Sequence, residues 1–370
     1  MASVFLLGSH GPVLLGFRGV LISDLIAAGH RVYACAPDLE GETAQKVRAL
    51  GAEPLTLEVD RHDLGPMSNL RYAAALKRLM QRLRPDVFLG YTAKPVVWGA
   101  PAARAAGVKT VAALITGLGY AFTEGREVKR KLVKTALSAL YRRALARCDA
   151  VIFQNPDDRD VFEHLSLTPR GRAGHVVNGS GVDLSHYQPA PIPKKPVFLM
   201  IARLLKDKGT REYANAALAL KARHPDAAFR LAGWLDPSPD CIDPKALEQW
   251  IAGGLEFLGR LDDVRPALAN CACYVLPSYR EGTPRTVLEA MAMGRGIITT
   301  DAPGCRETVV EGENGYRVPV RDAAALETAM ERMILNPTLF ETFGKGALRL
   351  AQSKYEIHAV NRHMMTILGL

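Results

Sequence analysis

Short apolar runs alternate with longer amphipathic stretches along the chain, and the alternation begins twice. In the first half the strand-like runs are Val4–Leu7, Val32–Ala36, Pro54–Val59, Val87–Leu89, Thr110–Ile115 and Ala150–Phe153. In the second half they are Val197–Ile201, Phe229–Ala232, Leu255–Phe257, Cys273–Leu276 and Gly296–Thr299. Strands separated by helix-length segments are typical of βαβ units and a mostly parallel sheet. The sequence therefore predicts an α/β protein with two doubly wound, Rossmann-like domains.

The two series are separated by Gln188–Pro196, a proline-rich segment that is typical of a linker. We expect an N-terminal domain over residues 1–190 and a C-terminal domain over residues 191–370. A chain of 370 residues is long enough for this, because single cores stop growing near about 250–300 residues. Ligands of such sheets bind outside the carboxyl ends of the strands, so a site in a central cleft that both domains face is predicted. The last helix-like stretch, Lys354–Leu368, falls within the second range, and whether it crosses back to the first domain is left open by the sequence.

Composition and charge narrow the functional classes. No apolar window is long enough to span a bilayer, and the first apolar run leads into a glycine turn, as a buried strand would. Six cysteines without metal-ligand spacing predict a reduced, cytosolic protein that needs no metal or other cofactor. Residues 1–195 hold 26 Lys and Arg against 17 Asp and Glu, whereas residues 196–370 hold 21 of each. The whole net charge of +9 thus lies in the first half, which indicates an anionic partner there.

The segment Ser278–Gly294, SYREGTPRTVLEAMAMG, carries the strongest chemical pattern. It follows the buried run Cys273–Leu276 and opens a helix, in which Pro284 suits the first helical position. The turn before that helix offers backbone N–H groups to an anion. Glu281 precedes the helix, and Glu289 is predicted to lie about two turns into it. We expect Glu281, Gly282, Thr283, Pro284 and Glu289 to contact sugar, phosphate and ribose oxygens.

A second pattern, ARLLKDKG at Ala202–Gly209, follows the predicted strand Val197–Ile201. Arg203 and Lys208 stand five residues apart on a loop that enters a helix. An arginine fork and a lysine point charge can together hold a diphosphate. Cleavage of a glycosidic bond to a diphosphate builds negative charge on it, which fixed cations stabilise.

These two patterns, in this order and about 70 residues apart, resemble those of the family 4 glycosyltransferases, a retaining family with the GT-B fold. The resemblance implies that Glu281 contacts the donor sugar, Glu289 the ribose, and Arg203 with Lys208 the diphosphate. Asn178–Asp183 resembles the turn of the family before the linker, although it can also be purely structural. Gly8–Arg18 resembles the flexible loop between the first strand and the first predicted helix, Val20–Ala28, and the resemblance implies a donor contact for Gly16.

One departure from the family pattern bears on the acceptor. Ile115–Phe122 reads ITGLGYAF and lacks the histidine that many members carry at this place. This version is similar to members that extend sugars linked to undecaprenyl diphosphate, including N-acetylgalactosaminyltransferases. The resemblance implies a UDP-sugar donor, a lipid-diphosphate-linked sugar acceptor, and retention with the leaving phosphate as base. The acceptor residues that it suggests are His10, Lys94, Thr116 and Gly117, although His10 can equally be an ordinary loop residue.

The stretch Arg126–Arg147 holds eight basic residues and one acidic residue, with apolar residues at helical spacing. A basic amphipathic helix can lie on an anionic membrane surface, which would place the protein at the inner face of the plasma membrane. The alternative is an ordinary solvated face over a buried stripe. The basic residues proposed for membrane contact are Lys129, Arg130, Lys131, Lys134, Arg142 and Arg143.

Three other functions are consistent with parts of the sequence. A nucleotide-sugar 2-epimerase or a phosphorylase would share the predicted fold, but no lysine pattern supports the pyridoxal phosphate of a phosphorylase. The basic first half permits nucleic-acid binding, yet no stacking, zinc or recognition-helix motif accompanies it, so no nucleic-acid partner is expected. Asp158–Asp160 has the letters of a D-x-D metal motif but is predicted to lie on a helix as surface charge.

Overall fold

The computed structural model describes residues 1–57, 65–117, 128–169, 171, 174–238 and 240–370, without the side chains of residues 66 and 128–132. The chain divides into two compact units. The first unit comprises Met1–Ser180 together with Ile357–Leu370, and the second comprises Gly181–Glu356. The division thus falls within Asn178–Asp183, ahead of the proline-rich segment, and the last helix belongs to the first unit.

The first unit is built around a parallel sheet whose described strands run in the order β3-β2-β1-β4-β5-β6-β7. The strands are β1 Ser3–Leu7, β2 Arg31–Ala36, β3 Glu53–Thr56, β4 Val87–Tyr91, β5 Thr110–Ile115, β6 Ala150–Phe153 and β7 His175–Val176. The helices are α1 Gly11–Ala27, α2 Gly41–Ala49, α3 Pro66–Leu83, α4 Ala100–Ala105 (preceded by a π-helical turn, Pro95–Gly99), α5 Val128–Leu145 and α6 Pro156–His164.

The second unit repeats the same winding, with described strands in the order β10-β9-β8-β11-β12-β13. The strands are β8 Val197–Ile201, β9 Ala228–Ala232, β10 Glu256–Gly259, β11 Cys273–Leu276, β12 Gly296–Thr300 and β13 Gly315–Val318. The helices are α7 Thr210–Arg223, α8 Pro244–Ala252, α9 Arg265–Ala269, α10 Arg285–Ala292, α11 Ala323–Leu335 and α12 Thr338–Lys354, followed by α13 Ile357–Leu368 of the first unit. The predicted pair of doubly wound, Rossmann-like domains is confirmed.

Helices cover both faces of each sheet, because strands buried on both sides need apolar cover above and below. In the first unit, α3 and α5 pack on one face of the sheet, while α1, α2 and α13 pack on the other. Val360, Met364 and Leu368 of α13 are buried in that second layer, and α13 lies against α1. The predicted stretch Lys354–Leu368 is therefore divided, since Lys354 ends α12 and Ile357 begins α13.

The first helix begins nine residues earlier than the sequence pattern predicts. The sequence predicts a helix at Val20–Ala28 after a flexible loop at Gly8–Arg18, but α1 starts at Gly11. Pro12 sits in its first turn, where a missing N–H costs no helical hydrogen bond, and Leu14, Arg18 and Leu21 form its buried face. The loop prediction was wrong for residues 11–18, and Gly16 lies on the exposed side of the helix.

The proline-rich segment Gln188–Pro196 is not a free connector. The guanidinium of Arg295 is fully buried and donates to the carbonyl oxygens of Ala190 at 2.6 Å and Pro191 at 3.1 Å. It also donates to the carbonyl of Cys271 at 3.0 Å. These bonds hold the segment in place within the second unit, because buried donor groups are stabilised by hydrogen bonds to nearby acceptors.

Among the described helices, none is long and apolar enough to cross a membrane.

Candidate active site

The two motifs of the second unit meet at the carboxyl ends of β8 and β11. These strands are neighbours in the middle of the sheet, where the strand order reverses, and ligands of open α/β sheets bind at such a point. The loop after β8 carries Arg203 and Lys208, and the loop after β11 carries Glu281. The topology therefore brings together side chains that are more than 70 residues apart in sequence.

Backbone contacts join these two loops. The amide of Tyr279 donates to the carbonyl of Asp207 at 2.8 Å, and the Oγ of Ser278 lies 3.3 Å from the same carbonyl oxygen. Gly209 has a φ of +70°, and a Cβ there would lie 2.0 Å from the carbonyl oxygen of Pro277. Only glycine permits this approach, so Gly209 is a structural requirement of the site.

Replacing Gly209 with alanine is expected to destabilise the second unit by about 3 kcal/mol, because it adds a steric clash to a left-handed backbone. Gly312→Ala is the matched control, since Gly312 has a φ of +76° but nothing within 4 Å of its notional Cβ. Calorimetric unfolding should show a clearly larger loss of stability for Gly209→Ala than for Gly312→Ala. Equal losses would contradict the tight approach to Pro277.

Lys208 and Glu281 form a half-buried ion pair. The Nζ of Lys208 lies 2.6 Å from Oε1 of Glu281, and their side chains are 16% and 17% exposed. The hydroxyl of Ser278 donates to the same oxygen at 2.8 Å. Burial alone would lower the pKa of Lys208, but the attraction and hydrogen bond of Glu281 outweigh it, so the pKa lies above its ordinary value. The ammonium is therefore charged at neutral pH and available to an anionic ligand.

The loop that carries Glu281 is also fixed from the side of β12. The amide of Glu281 donates to the carbonyl of Pro303 at 3.0 Å. Gly304 has a φ of +77°, and a Cβ on it would lie 2.2 Å from the carbonyl oxygen of Glu281. The carboxylate thus sits on a loop held from two directions, as a residue that orients a substrate requires.

Glu289 is held inside the same region by α10. Glu289 is 5% exposed, and its Oε1 accepts hydrogen bonds from Tyr187 Oη and from Arg285 Nε, each at 2.8 Å. Burial raises the pKa of Glu289, while the charge of Arg285 and the hydrogen bonds oppose that rise. Two details differ from prediction: Pro284 is the N-cap rather than the first helical residue, and Glu289 lies just over one turn into the helix.

Arg203 is placed differently from its predicted partner in the clamp. Its Nη1 pairs with Oδ2 of Asp236 at 3.2 Å, and its side chain is 47% exposed. The positive charge of Arg203 opposes the rise in the pKa of Lys208. Arg203 thus has a carboxylate partner other than Glu281.

In the first unit, the predicted acceptor residues follow three neighbouring strands of the sheet. His10 caps α1 after β1, Lys94 follows β4, and Thr116 with Gly117 follows β5. His10 Nδ1 pairs with Asp38 Oδ2. Because β1, β4 and β5 are adjacent and parallel, these residues lie at one edge of the sheet.

Asp38 also accepts the amide of Gly11 at 2.7 Å. Burial raises the pKa of Asp38, but the hydrogen bonds from Gly11 and His10 outweigh it and hold the pKa below its ordinary value. Lys94 places its Nζ 5.3 Å from the ring centre of Tyr72, and Gly117 has a φ of +122°. Most of Ile115–Phe122 lies outside the described residues.

The basic stretch Arg126–Arg147 includes α5, but residues 126–127 and the side chains of Lys129, Arg130 and Lys131 lie outside the described part. The apolar stripe of α5, represented by Leu137, Leu140 and Tyr141, packs against the core of the first unit. Arg142 donates to the carbonyls of Leu165 and Ser166, both at 3.1 Å, at the end of α6. Arg143 is exposed and Lys134 is half-buried.

Sequence reasoning did not single out four residues that shape the site: Tyr187, Asp236, Ser278 and Arg285. Ser278 and Arg285 lie inside the quoted motif, so their spacing to Glu281 and Glu289 could have indicated a role. Tyr187 lies 102 residues from Glu289 and Asp236 lies 33 residues from Arg203, the residues with which they form hydrogen bonds. No local sequence pattern indicates a role for either. By contrast, the helical position of Asp158–Asp160 is confirmed, since Asn155 caps α6. The prediction of surface charge is wrong for Asp158, which is fully buried, whereas Asp160 is exposed.

Two family descriptions match the chain. The family described as "Glycosyl transferases group 1" matches residues 195–336, and "Glycosyl transferase 4-like" matches residues 8–155. The first match contains both motifs of the second unit. The second match spans most of the first unit.

Curated relatives are similar over most of the chain. The N,N'-diacetylbacillosaminyl-diphospho-undecaprenol alpha-1,3-N-acetylgalactosaminyltransferase of Campylobacter jejuni is 29% identical over 92% of this chain and 91% of its own length. The UDP-Gal:alpha-D-GlcNAc-diphosphoundecaprenol alpha-1,3-galactosyltransferase of Escherichia coli is 25% identical over 72% of this chain and 71% of its own.

Solved structures share the fold. Sucrose-phosphate synthase from Thermosynechococcus elongatus superposes with a TM-score of 0.82 at 20% identity, over 99% of this chain and 98% of its own. Anabaena HepE in complex with UDP and glucose gives a TM-score of 0.79 at 19% identity, over the full length of both chains.

Proposed function

Because the chain belongs to the family 4 glycosyltransferases and is a transferase with the GT-B fold, we propose that it moves a sugar from a UDP-sugar to a polyprenyl-diphosphate-linked sugar. The reaction would serve bacterial glycan synthesis such as capsule, O-antigen or protein glycosylation. The transferred unit would be a hexose or an N-acetylhexosamine. The observation that carries the proposal is the Lys208–Glu281 ion pair at the strand-order reversal of the second unit.

The donor would be held by the second unit in three parts. Lys208 and Arg203 neutralise the diphosphate, Glu281 accepts hydrogen bonds from sugar hydroxyls, and Glu289 accepts from the ribose. Gly282 and Thr283 line the turn before α10, whose backbone N–H groups face the same anion. Binding requires Arg203 to exchange the carboxylate of Asp236 for phosphate oxygens, a change for which an arginine fork is suited.

In the proposed mechanism the glycosidic bond to the diphosphate breaks and its electrons stay on the leaving phosphate oxygen. The acceptor hydroxyl attacks the oxocarbenium-like carbon from the same face and gives its proton to that phosphate oxygen, so configuration is retained. The charged Lys208 stabilises the growing negative charge, because a preorganised cation costs no reorganisation during the reaction. Since two fixed cations supply this charge, we expect transfer to continue in EDTA.

The acceptor assignment is supported by the relatives. The names of the Campylobacter jejuni and Escherichia coli relatives describe transfer to a sugar on a diphosphoundecaprenol, and the first of these relatives matches 92% of this chain. His10, Lys94, Thr116 and Gly117 lie at one edge of the first sheet and would bind this acceptor. UDP is supported by the galactosyltransferase name and by the HepE complex.

The direct test is a donor screen. Purified protein would be incubated with UDP-, GDP- and ADP-sugars and a short-chain lipid-diphosphate sugar, and products would be identified by mass spectrometry and the anomeric configuration by NMR. Transfer from a UDP-sugar with retained configuration is expected. Donor isomerisation without acceptor would favour an epimerase, and stabilisation by oligonucleotides but not by UDP would favour a nucleic-acid-binding protein.

We also propose that the basic residues of α5 bind an anionic membrane, which would place the enzyme at the inner face of the plasma membrane. Replacing Lys129, Arg130, Lys131 and Lys134 with serine should weaken sedimentation with phosphatidylglycerol vesicles, since each basic residue near such a surface contributes about 1 kcal/mol. The control carries serine at four exposed basic residues of similar total charge, Lys77, Arg78, Arg82 and Arg84. Equal loss in both variants would refute a specific role for α5.

A further inference from the structure

A tyrosine from outside the two motifs donates a hydrogen bond to one oxygen of Glu289. Tyr187 lies 102 residues before Glu289, and its hydroxyl donates to Oε1 at 2.8 Å. Arg285 Nε donates to the same Oε1, also at 2.8 Å. Within the described part of the chain, no donor contacts Oε2 of Glu289.

We propose that Tyr187 is a positioning residue that, together with Arg285, holds Oε1 of Glu289 and directs Oε2 to the ribose, so that the site selects nucleotides with a ribose diol. This inference rests on the proposed ribose contact of Glu289. It assigns Tyr187 a role in donor specificity rather than in the chemical step.

The geometry supports this role in two ways. The terminal torsion of a glutamate is broad, so a carboxylate without fixed donors rotates readily between orientations. Two donors on one oxygen, one from α10 itself and one from a distant segment, restrict that rotation. Tyr187 is in turn fixed, because it is 8% exposed and its ring packs edge-on against His186 at a centroid distance of 4.9 Å.

Electrostatics point in the same direction. Burial, followed by the charge of Glu289, raises the pKa of Tyr187 above its ordinary value, so the phenol keeps its proton and remains a donor. A buried carboxylate oxygen that meets no hydroxyl loses its hydration without compensation. A nucleotide that lacks the diol therefore binds more weakly than UDP only while Oε2 is held toward the ribose.

The test compares binding of UDP and 2′,3′-dideoxy-UDP by calorimetry. The wild-type protein should prefer UDP by at least about tenfold, the size of a hydrogen bond to a charged group. Tyr187→Phe should lower that preference about fivefold, through weaker binding of UDP and unchanged binding of the dideoxy nucleotide. In steady-state assays the same variant should raise the donor KM with kcat within about twofold of wild type.

The matched control is Tyr213→Phe, which removes another buried hydroxyl of the second unit, bonded to the carbonyls of Phe198 and Arg230. A general loss of stability weakens the binding of both nucleotides alike. The ratio of the affinities for UDP and 2′,3′-dideoxy-UDP should therefore stay at the wild-type value in this variant. An unchanged ratio in Tyr187→Phe would overturn the inference.

Glu289→Gln distinguishes the ribose contact of Glu289 from the positioning role of Tyr187. If it abolishes the preference for UDP while Tyr187→Phe does not change it, Glu289 contacts the ribose and only the role of Tyr187 is refuted. If Glu289→Gln keeps the full preference, the ribose contact and the role of Tyr187 are both refuted.

Discussion

Replacing Glu281 with alanine is expected to lower kcat/KM for sugar transfer by about a thousandfold or more, while both units stay folded. The carboxylate has two tasks in the proposed reaction. It accepts hydrogen bonds from the donor sugar, and it holds the ammonium of Lys208 at 2.6 Å, where the diphosphate needs it. Loss of the side chain removes both interactions, and they act together in the transition state.

The measurement is steady-state transfer with the donor that the screen identifies, together with circular dichroism and thermal unfolding. Glu248→Ala is the matched control, since Glu248 is an exposed carboxylate of α8 in the same unit. Some loss of stability is expected in Glu281→Ala, because Lys208 stays half-buried without its partner. Transfer at the wild-type rate by Glu281→Ala would refute the assigned role of the carboxylate.

Replacing Lys208 with methionine is expected to lower kcat by about a hundredfold to a thousandfold, with a smaller rise in the donor KM. Methionine keeps most of the length of the side chain and removes its charge. The charge matters most when the leaving diphosphate gains an electron pair, so the transition state loses more than the ground state. The raised pKa of Lys208 means that the wild-type ammonium stays protonated through neutral pH, and its titration should not limit the rate there.

Lys206→Met provides the control for charge alone, because Lys206 is an exposed lysine of the same turn. Kinetics at several salt concentrations distinguish a local contact from general attraction, since exposed charges are screened and half-buried ones are screened much less. A comparable loss of kcat in both variants would show that the turn attracts the donor only through its overall charge.

The sequence by itself determined the fold class, the repeated winding and the residues of the second unit that carry charge at the ends of strands. The reason is physical: strand and helix periodicity are local, and β8, α7 and β11 begin and end where their own residues and bounding turns dictate. The spacing of Glu281 and Glu289 could be recognised from the sequence because both lie on one turn-and-helix segment. Family resemblance supplied the chemical roles, which no periodicity contains.

The start of α1 was predicted wrongly from the sequence. A glycine turn after the first strand and the family resemblance suggested a loop over Gly8–Arg18, yet burial of Leu14, Arg18 and Leu21 against the sheet stabilises a helix from Gly11 onward. Intrinsic propensity is a weak preference that packing overrides.

Tertiary structure alone decided how the charged groups are partnered. Lys208 meets Glu281 because β8 and β11 are adjacent in the sheet, Arg203 meets Asp236 from the loop after β9, and Tyr187 reaches Glu289 from the start of the second unit. Hydrogen bonds and ion pairs depend on separations of about 3 Å between groups far apart in sequence. Only the winding of the complete sheet brings those groups together.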